Sequence, residues 1–395
     1  MKHTYNFDEP VNRIGTDSYK WDMEGENGVM IPLGVADSDF KAPAKVMDVV
    51  KKKAEFGVYA YGALPQERFA ESVSNWYKKR HGVEVKPEWI CHSQGIMPGA
   101  LWMLLLALTK QNDTVLIQEP VYHNMRIISE NMNRKVLSND LILKDNRYEI
   151  DWADLEEKIK LPEVKILLIC SPHNPVGRVW TREELERMGK LCLENDVFLI
   201  SDEIHGDIVY EPHKHIPIVA VSDEVAEHSA IMASPSKTFN LAGFYSAYVI
   251  IKNEEARKKY QQVYERFHFD YNFIGLEALM TAYNECEDFV DEQNEYFYKN
   301  IQIVKKFVGE NMAEVKVTEI EASYLMWLDF RAWNLTPGEL LSLFRNWGVK
   351  LNDGSMYGKS GEGFLRLNVA TQTAVLEEAL ERIKCGYEQW KNDRI

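Results

Sequence analysis

The chain has 395 residues, of which 45% are hydrophobic and 27% are charged. This balance is typical of a globular protein and excludes an intrinsically disordered chain. Asp and Glu (61) outnumber Lys and Arg (46), and the formal charge of −15 disfavours binding to nucleic acid or to an anionic membrane surface.

The sequence carries no pattern typical of secretion, membrane spanning or metal binding. Its first ten residues lack an apolar stretch, so we expect no secretory signal. The nearest candidate for a membrane span, residues 100–108, is too short to cross a bilayer. Five widely spaced cysteines indicate neither a disulfide framework nor a metal site, which favours a reducing cytoplasm. His213 and His215 lie in a turn-like segment and are expected at the surface.

The N-terminal segment before about residue 45 is irregular, and the pattern becomes regular in the middle of the chain. There, short β-branched runs alternate with helical patterns, and the predicted strands are 114–118, 165–170, 197–201, 230–233 and 247–251. A helix is predicted over 181–195, where Thr181 and a Glu three residues later form a capping box. Nearly all-apolar strands are typical of a parallel sheet covered on both faces, so the sequence predicts an α/β fold.

One connection breaks the parallel pattern. Only about a dozen residues separate strand 230–233 from strand 247–251, too few for a helical crossover, so the later strand is expected to run antiparallel. After about residue 285 the pattern predicts a long helix over 287–312, strands near 315–317 and 324–329, and a last helix from about 373. We therefore predict a large domain over 46–285 and a smaller α+β domain formed by 1–45 and 286–395.

The most informative motif is Ser234-Pro-Ser236-Lys237, which directly follows an apolar strand. Open α/β sheets bind ligands at the carboxyl ends of their strands. Burial favours the neutral amine of a lysine, which can form a Schiff base with a carbonyl group, and the two serines can donate hydrogen bonds to a phosphate. Taken alone, a lysine in this position is more often a solvated loop residue.

Polar residues also follow two other predicted strands. Asp202 stands at the end of strand 197–201, and Asn174 follows strand 165–170 in the sequence Asn-Pro-Val-Gly. Gly95 opens an apolar helix whose free N–H groups can hold a phosphate. Each motif alone is compatible with a turn or a helix cap, but their order and spacing together favour a single site.

In these motifs the chain resembles the fold-type I pyridoxal-phosphate enzymes, the aspartate aminotransferase superfamily, over residues from about 31 to 369. The resemblance implies a mostly parallel seven-stranded sheet, bound pyridoxal 5'-phosphate and a homodimer with shared active sites. It implies that Lys237 carries the cofactor and acts as general base, and that Asp202 pairs with the pyridine nitrogen. It further implies that Asn174 binds the 3-oxygen and that Tyr122 stacks on the ring. The remaining cofactor-binding residues that it implies are Gly95, Ile96, His205, Ser234, Ser236 and, from the neighbouring subunit, Tyr61.

Arg366, in Gly-Phe-Leu-Arg near the C-terminus, resembles the residue that binds the substrate carboxylate in this superfamily. A planar guanidinium can bind a carboxylate through two parallel hydrogen bonds, which lysine cannot do. The substrate-binding set that the resemblance implies is Arg366 with Asn174. The alternative is an arginine on a strand edge paired with a nearby glutamate.

Two departures from the aminotransferase pattern indicate a subgroup. His205 stands where many aminotransferases have tyrosine, and Tyr245 stands where they have an arginine that contacts the phosphate. Together with segments 13–22, 34–40 and 172–178, these features resemble the bacterial C–S lyase type of cystathionine β-lyase. Without the arginine, the phosphate depends on backbone and hydroxyl donors.

The subgroup resemblance implies α,β-elimination, in which L-cystathionine or a related cysteine S-conjugate yields pyruvate, ammonia and a thiol. An aminotransferase that uses the same site is the first alternative. The second is a regulatory protein that uses the fold for protein contacts, which the intact set of Asn174, Asp202 and Lys237 disfavours.

Overall fold

The computed structural model of the chain describes residues 4–63 and 65–393. Residues 1–3 of the segment inspected for a secretory signal, and the last two residues of the predicted small domain, lie outside the described residues. The strands are β1 (Ile31–Pro32), β2 (Ile90–Gln94), β3 (Thr114–Ile117), β4 (Lys135–Ser138), β5 (Ile142–Lys144), β6 (Arg147–Glu149), β7 (Val164–Cys170), β8 (Phe198–Asp202), β9 (Ser229–Ala233), β10 (Ser246–Ile251), β11 (Lys316–Val317), β12 (Leu325–Asp329), β13 (Val349–Lys350), β14 (Asn352–Asp353) and β15 (Phe364–Asn368). The α-helices are α1 (Ala44–Glu55), α2 (Gln66–His81), α3 (Trp102–Leu108), α4 (Asn124–Asn131), α5 (Trp152–Lys158), α6 (Arg182–Glu194), α7 (Asp223–Glu227), α8 (Glu254–Arg266), α9 (Phe273–Glu285), α10 (Glu287–Asn311), α11 (Pro337–Asn346) and α12 (Thr373–Asn392).

The largest sheet has seven strands in the order β2-β10-β9-β8-β7-β3-β4. Strand β10 runs antiparallel to both of its neighbours, and the other pairings are parallel. The connection from β9 to β10 contains turns and one short 3₁₀ helix, Ala242–Phe244, which is too little chain for a crossover. The predicted α/β fold and the reversed strand are therefore confirmed.

Alternate side chains of the central strands pack on opposite faces of this sheet. Leu167 and Ile169 of β7 belong to one buried apolar cluster, whereas Ile166 and Leu168 belong to a second one. Helices cover both clusters; α6 begins with the predicted capping box between Thr181 and Glu184. Both faces of the sheet are therefore covered by packed side chains, and the residues just beyond its strand ends lie at the edge of this core.

A four-stranded antiparallel sheet in the order β11-β12-β15-β14 follows in the last third of the chain. The N-terminal segment joins this part of the molecule because β1 pairs in parallel with β13. The grouping is compatible with the predicted small domain, whose boundaries stay a prediction.

Within the residues that the structure describes, no helix is both long and apolar enough to cross a bilayer. All five cysteines have free thiols, and four of them are buried.

Candidate active site

A cavity of about 300 Å³ opens at the carboxyl ends of the central strands. Its floor comes from the ends of β7, β8 and β9, and one wall comes from the π-helical turn Ile96–Leu101 that follows β2. Nine residues predicted from the sequence line it: Gly95, Ile96, Tyr122, Asn174, Asp202, His205, Ser234, Ser236 and Lys237. The parallel register explains this convergence, since Asp202 pairs with Cys170 on one side and with Met232 on the other.

Lys237 lies in the turn after β9 and lines the cavity, so the alternative of a solvated loop lysine is wrong. Its Nζ donates a hydrogen bond to the carbonyl oxygen of Ala36, 2.6 Å away. Burial lowers the pKa of this amine to about 8; the Asp37 carboxylate opposes the shift, and the Arg366 guanidinium adds to it. A substantial share of the amine is therefore neutral near physiological pH, as a nucleophile or general base requires.

Asp202 is the last residue of β8 and is only 2% exposed. Burial raises the pKa of its carboxyl group to about 7, although the N–H of Ile204 and the amine of Lys237 favour the ionised form. A cation placed against this carboxylate would restore its charge at neutral pH. The floor of the cavity therefore suits a protonated heterocyclic nitrogen.

The opposite end of the cavity offers backbone groups to an anion. Gly95 has φ +78° and ψ 173°, a conformation that only glycine adopts readily, and it leads directly into the turn that begins at Ile96. Ser234 donates its hydroxyl proton to the carbonyl of Ser246 (2.8 Å) and accepts a hydrogen bond from the N–H of Ser236 (3.1 Å). In this arrangement the Ser234 hydroxyl holds the loop in shape. Tyr245 is 64% exposed and stands at the rim beside Gly95.

Two ring side chains border the cavity. The hydroxyl of Tyr122 accepts a hydrogen bond from Asn124 Nδ2 at 2.7 Å, and burial raises the pKa of the phenol. His205 Nδ1 lies 3.1 Å from the hydroxyl of Ser323. Burial lowers the pKa of His205 to about 3, with smaller contributions from Lys237 and Arg366, so the imidazole is neutral at physiological pH.

Arg366 lies on β15, an inner strand of the four-stranded sheet, and is 2% exposed. Its Nη1 donates to Asn174 Oδ1 at 3.2 Å, and its Nη2 donates to the carbonyl of Gly34 at 2.8 Å. In the part of the chain that the structure describes, Arg366 forms no ion pair and its Nε has no hydrogen-bond partner. The alternative of an edge arginine paired with a glutamate is therefore wrong, and the guanidinium retains donors for a carboxylate.

Two predicted site residues do not line this cavity: Arg366, which contacts the lining residue Asn174, and Tyr61. Tyr61 is 96% exposed, and Phe56, Val58 and Tyr59 of the same segment are also exposed. The role of Tyr61 in a neighbouring site stays a prediction.

Comparison with known proteins identifies the family. The model of the class I and II aminotransferases matches residues 29–383. The chain belongs to this family. It is 39% identical to the cystathionine beta-lyase PatB of Bacillus subtilis over 386 residues, which are 96% of this chain and 99% of that protein.

Solved structures agree with this family assignment. Cystalysin from Treponema denticola, which contains a pyridoxal 5'-phosphate cofactor, superposes with a TM-score of 0.94 at 32% identity, covering 98% of this chain and 99% of that chain. The pyridoxal-phosphate-bound C–S lyase from Staphylococcus hominis superposes with a TM-score of 0.89 at 29% identity, covering 97% and 98% of the two chains. The predicted family, fold and dependence on pyridoxal phosphate are confirmed.

The cavity fits this cofactor on its own chemistry. A buried carboxylate at Asp202 suits the pyridine nitrogen, and the amine of Lys237 suits the aldehyde. The glycine-led turn at Gly95 and Ile96 suits the phosphate, because N–H groups at the start of a helical turn attract an anion.

Several features of the site were missed in the sequence. Ala36 contributes only a backbone carbonyl, for which no sequence signal exists. Asn124 could have been found, since it follows Tyr122 by two residues and can reach the phenol.

The predicted surface position of His215 is wrong. His215 is buried, and its Nε2 lies 2.9 Å from Glu203 Oε2. The local sequence around His215 predicts a turn but gives no information about this contact with Glu203. His213 is half-buried near Glu319 and Glu321, the one group of three possible metal ligands among the described residues. Because the Glu321 carboxylate already accepts hydrogen bonds from Arg147 Nε and from a backbone N–H, both at 2.7 Å, we propose no metal there.

Proposed function

We propose that this enzyme is a carbon–sulfur β-lyase, which converts L-cystathionine or a related cysteine S-conjugate into pyruvate, ammonia and a thiol. The observation that carries the proposal is that the Lys237 amine lines the same cavity as the buried Asp202 and lies close enough to the Arg366 guanidinium to be influenced by its charge. The C–S lyase and cystathionine β-lyase relatives support the same function.

When bound, pyridoxal phosphate supplies an electron-accepting ring that stabilises negative charge at the substrate α-carbon. Asp202 holds a proton at the ring nitrogen, because a buried carboxylate favours an adjacent cation. Lys237 removes the α-proton of the substrate as general base. Arg366 binds the substrate carboxylate and so fixes which bond at the α-carbon faces that amine.

Asn174 and Tyr122 complete the proposed site. The side-chain amide of Asn174 would hold the 3-oxygen of the cofactor, while its own oxygen accepts from Arg366. Tyr122 would hold the cofactor ring, and Asn124 fixes the direction of the Tyr122 hydroxyl. The pKa of His205 is about 3, so its imidazole is a much weaker base than the Lys237 amine and does not compete with it for the α-proton. The phosphate would be held by Gly95, Ile96 and Ser236, and Ser234, whose hydroxyl donates to the Ser246 carbonyl, shapes the loop that carries Ser236.

We further propose that the enzyme is a homodimer in which Tyr61 reaches the phosphate of the partner subunit's site. Support comes from the exposure of a tyrosine and of apolar neighbours in one segment, which is unusual for a surface that faces water alone. The cytoplasmic location also stays a prediction, which the free thiols support.

The decisive experiment compares two assays of the same purified holoenzyme. With L-cystathionine or S-methyl-L-cysteine and no keto acid, the lyase should release pyruvate, ammonia and thiol in equal amounts, because a thiolate is a good leaving group and the cofactor ends each cycle unchanged. An aminotransferase would instead need 2-oxoglutarate and would form glutamate. Pyruvate that appears only after 2-oxoglutarate is added would contradict the lyase proposal.

A further inference from the structure

Four charged side chains of the N-terminal segment form a compact cluster, here called the clamp: Arg13, Lys20, Asp37 and Asp39. Arg13 lies 2.9 Å from the Asp37 carboxylate and 2.7 Å from the Asp39 carboxylate. Lys20 Nζ lies 2.8 Å from Asp39 and 3.7 Å from Asp37. The side chains of Lys20 and Asp39 are 0% and 1% exposed, and Trp21 Nε1 also donates to Asp39 at 2.8 Å. Such pairs are poorly screened by salt.

The two aspartates belong to an irregular segment, residues 34–39, here called the strap. Its backbone carbonyls bind the side chains of the active site. The carbonyl of Gly34 accepts from Arg366 at 2.8 Å, and the carbonyl of Ala36 accepts from Lys237 at 2.6 Å. A shift of the strap would therefore reach both residues directly.

The cations of the clamp bind the strap through its backbone as well as through its carboxylates. Lys20 Nζ donates to the carbonyl of Asp37 at 3.3 Å, and Arg13 Nη1 donates to the carbonyl of Ser38 at 3.1 Å. The clamp thus binds the strap at residues 37–39, while the active-site side chains bind it at Gly34 and Ala36. Residues that support a site in this way fix its geometry without touching the substrate.

We propose that Arg13 and Lys20 are positioning residues, which hold the strap at the depth where its carbonyls orient Arg366 and Lys237. This inference rests on the proposed function and deepens it. It also gives a physical reason for segments 13–22 and 34–40 to occur together in the sequence, since the first segment supplies the cations and the second supplies the carboxylates.

The test compares Lys20→Met with Lys41→Met in the holoenzyme. Lys41 is the matched control, because it also pairs with a carboxylate near the N-terminus, that of Glu9, but is exposed and pairs with no carboxylate of the strap among the described residues. Calorimetry measures the affinity for 3-(methylthio)propionate, which carries a carboxylate and a thioether but no amine. Lys20→Met should weaken this affinity about 10- to 100-fold and lower kcat/KM by a similar factor, because a displacement of Arg366 and Lys237 by about 1 Å is enough to reduce both by that much. Lys41→Met should change both by less than about twofold.

Thermal unfolding of each variant separates positioning from stability. If Lys20→Met does not fold, Trp21→Phe removes one hydrogen bond to Asp39 and should weaken the affinity about 3- to 10-fold. The proposal would be overturned if a folded Lys20→Met or Trp21→Phe variant bound 3-(methylthio)propionate as tightly as the wild type does. An equal loss of affinity in the Lys41→Met control would also overturn it, and so would a wild-type holoenzyme that does not bind this acid. If the wild-type holoenzyme binds 3-(methylthio)propionate but releases no pyruvate from L-cystathionine, only the lyase function is refuted. The affinities of the variants for this acid would still test the role of the clamp.

Discussion

Arg366 and Asn174 contact each other across the two sheets of the molecule, with Nη1 of the arginine 3.2 Å from Oδ1 of the asparagine. Arg366 comes from β15 in the four-stranded sheet, and Asn174 follows β7 in the seven-stranded sheet. The contact joins Arg366, which is proposed to bind the substrate carboxylate, to Asn174, which is proposed to bind the cofactor. The relative position of the two sheets therefore sets the geometry of catalysis.

Arg366→Lys should raise the KM for a cysteine S-conjugate by about 10- to 100-fold. The reason is that the loss of a bidentate, charge-assisted contact with the substrate carboxylate costs roughly 1.5–3 kcal/mol of binding free energy. The affinity for pyridoxal phosphate should change little, which a titration of cofactor-free protein would measure. Arg331→Lys is the matched control, since Arg331 is exposed and binds the Asp329 carboxylate at the end of β12. An unchanged KM in Arg366→Lys would mean that this arginine is only structural.

Borohydride reduction of the holoenzyme should fix the cofactor on a single peptide, the one that contains Lys237. The physical reason is the lowered pKa of this amine, about 8, which leaves it neutral more often than an exposed lysine. Mass spectrometry of a digest gives the position of the label. Lys20 is an internal control, because it is also buried but is paired with carboxylates. A label on Lys20 or on any other lysine would refute the assignment.

The stability of the cofactor-free protein should depend on pH through Asp202. Its pKa in the folded protein, about 7, is raised above the ordinary value of 3.8, so the folded state retains a proton that the unfolded state loses. The contribution of Asp202 to the free energy of unfolding should therefore fall as the pH rises from about 4 to about 7. Asp202→Asn has no titrating group at this position and so lacks this pH dependence. The melting temperature of the variant minus that of the wild type should therefore increase from about pH 4 to about pH 7. A difference between the two that is independent of pH would contradict the raised pKa.

The shared site can be tested by mixing two variants that should each have lost activity, Tyr61→Phe and Lys237→Ala. If Tyr61 acts in the partner's site, each mixed dimer has one site with both lesions and one intact site. Random mixing should then restore about a quarter of the wild-type activity. Mixtures that stay inactive would show that Tyr61 acts within its own subunit. Tyr59→Phe is the control, since the Tyr59 hydroxyl donates to the Ala54 carbonyl of its own subunit, and this variant should be active alone.

The sequence by itself determined the α/β fold, the reversed strand β10 and, with the family resemblance, half of the residues that line the cavity. Asp202 and Lys237 were found because buried parallel strands have a strong local signature, and a polar residue at the end of such a strand must face the same edge as its neighbours. The family resemblance added the residues whose local pattern is weak, such as Arg366 and Tyr61.

Only the tertiary structure decided the contacts between segments that are distant in the chain. The bonds from Lys237 to Ala36 and from Arg366 to Gly34 involve backbone carbonyls, which every residue possesses and which no sequence pattern marks. The burial of His215 depends in the same way on Glu203, which the chain brings to it by folding. Periodicity and motifs reflect local preferences, which can be identified in the sequence. Hydrogen bonds between distant segments and the desolvation of buried groups depend on which groups meet in space, and this is decided only when the core packs.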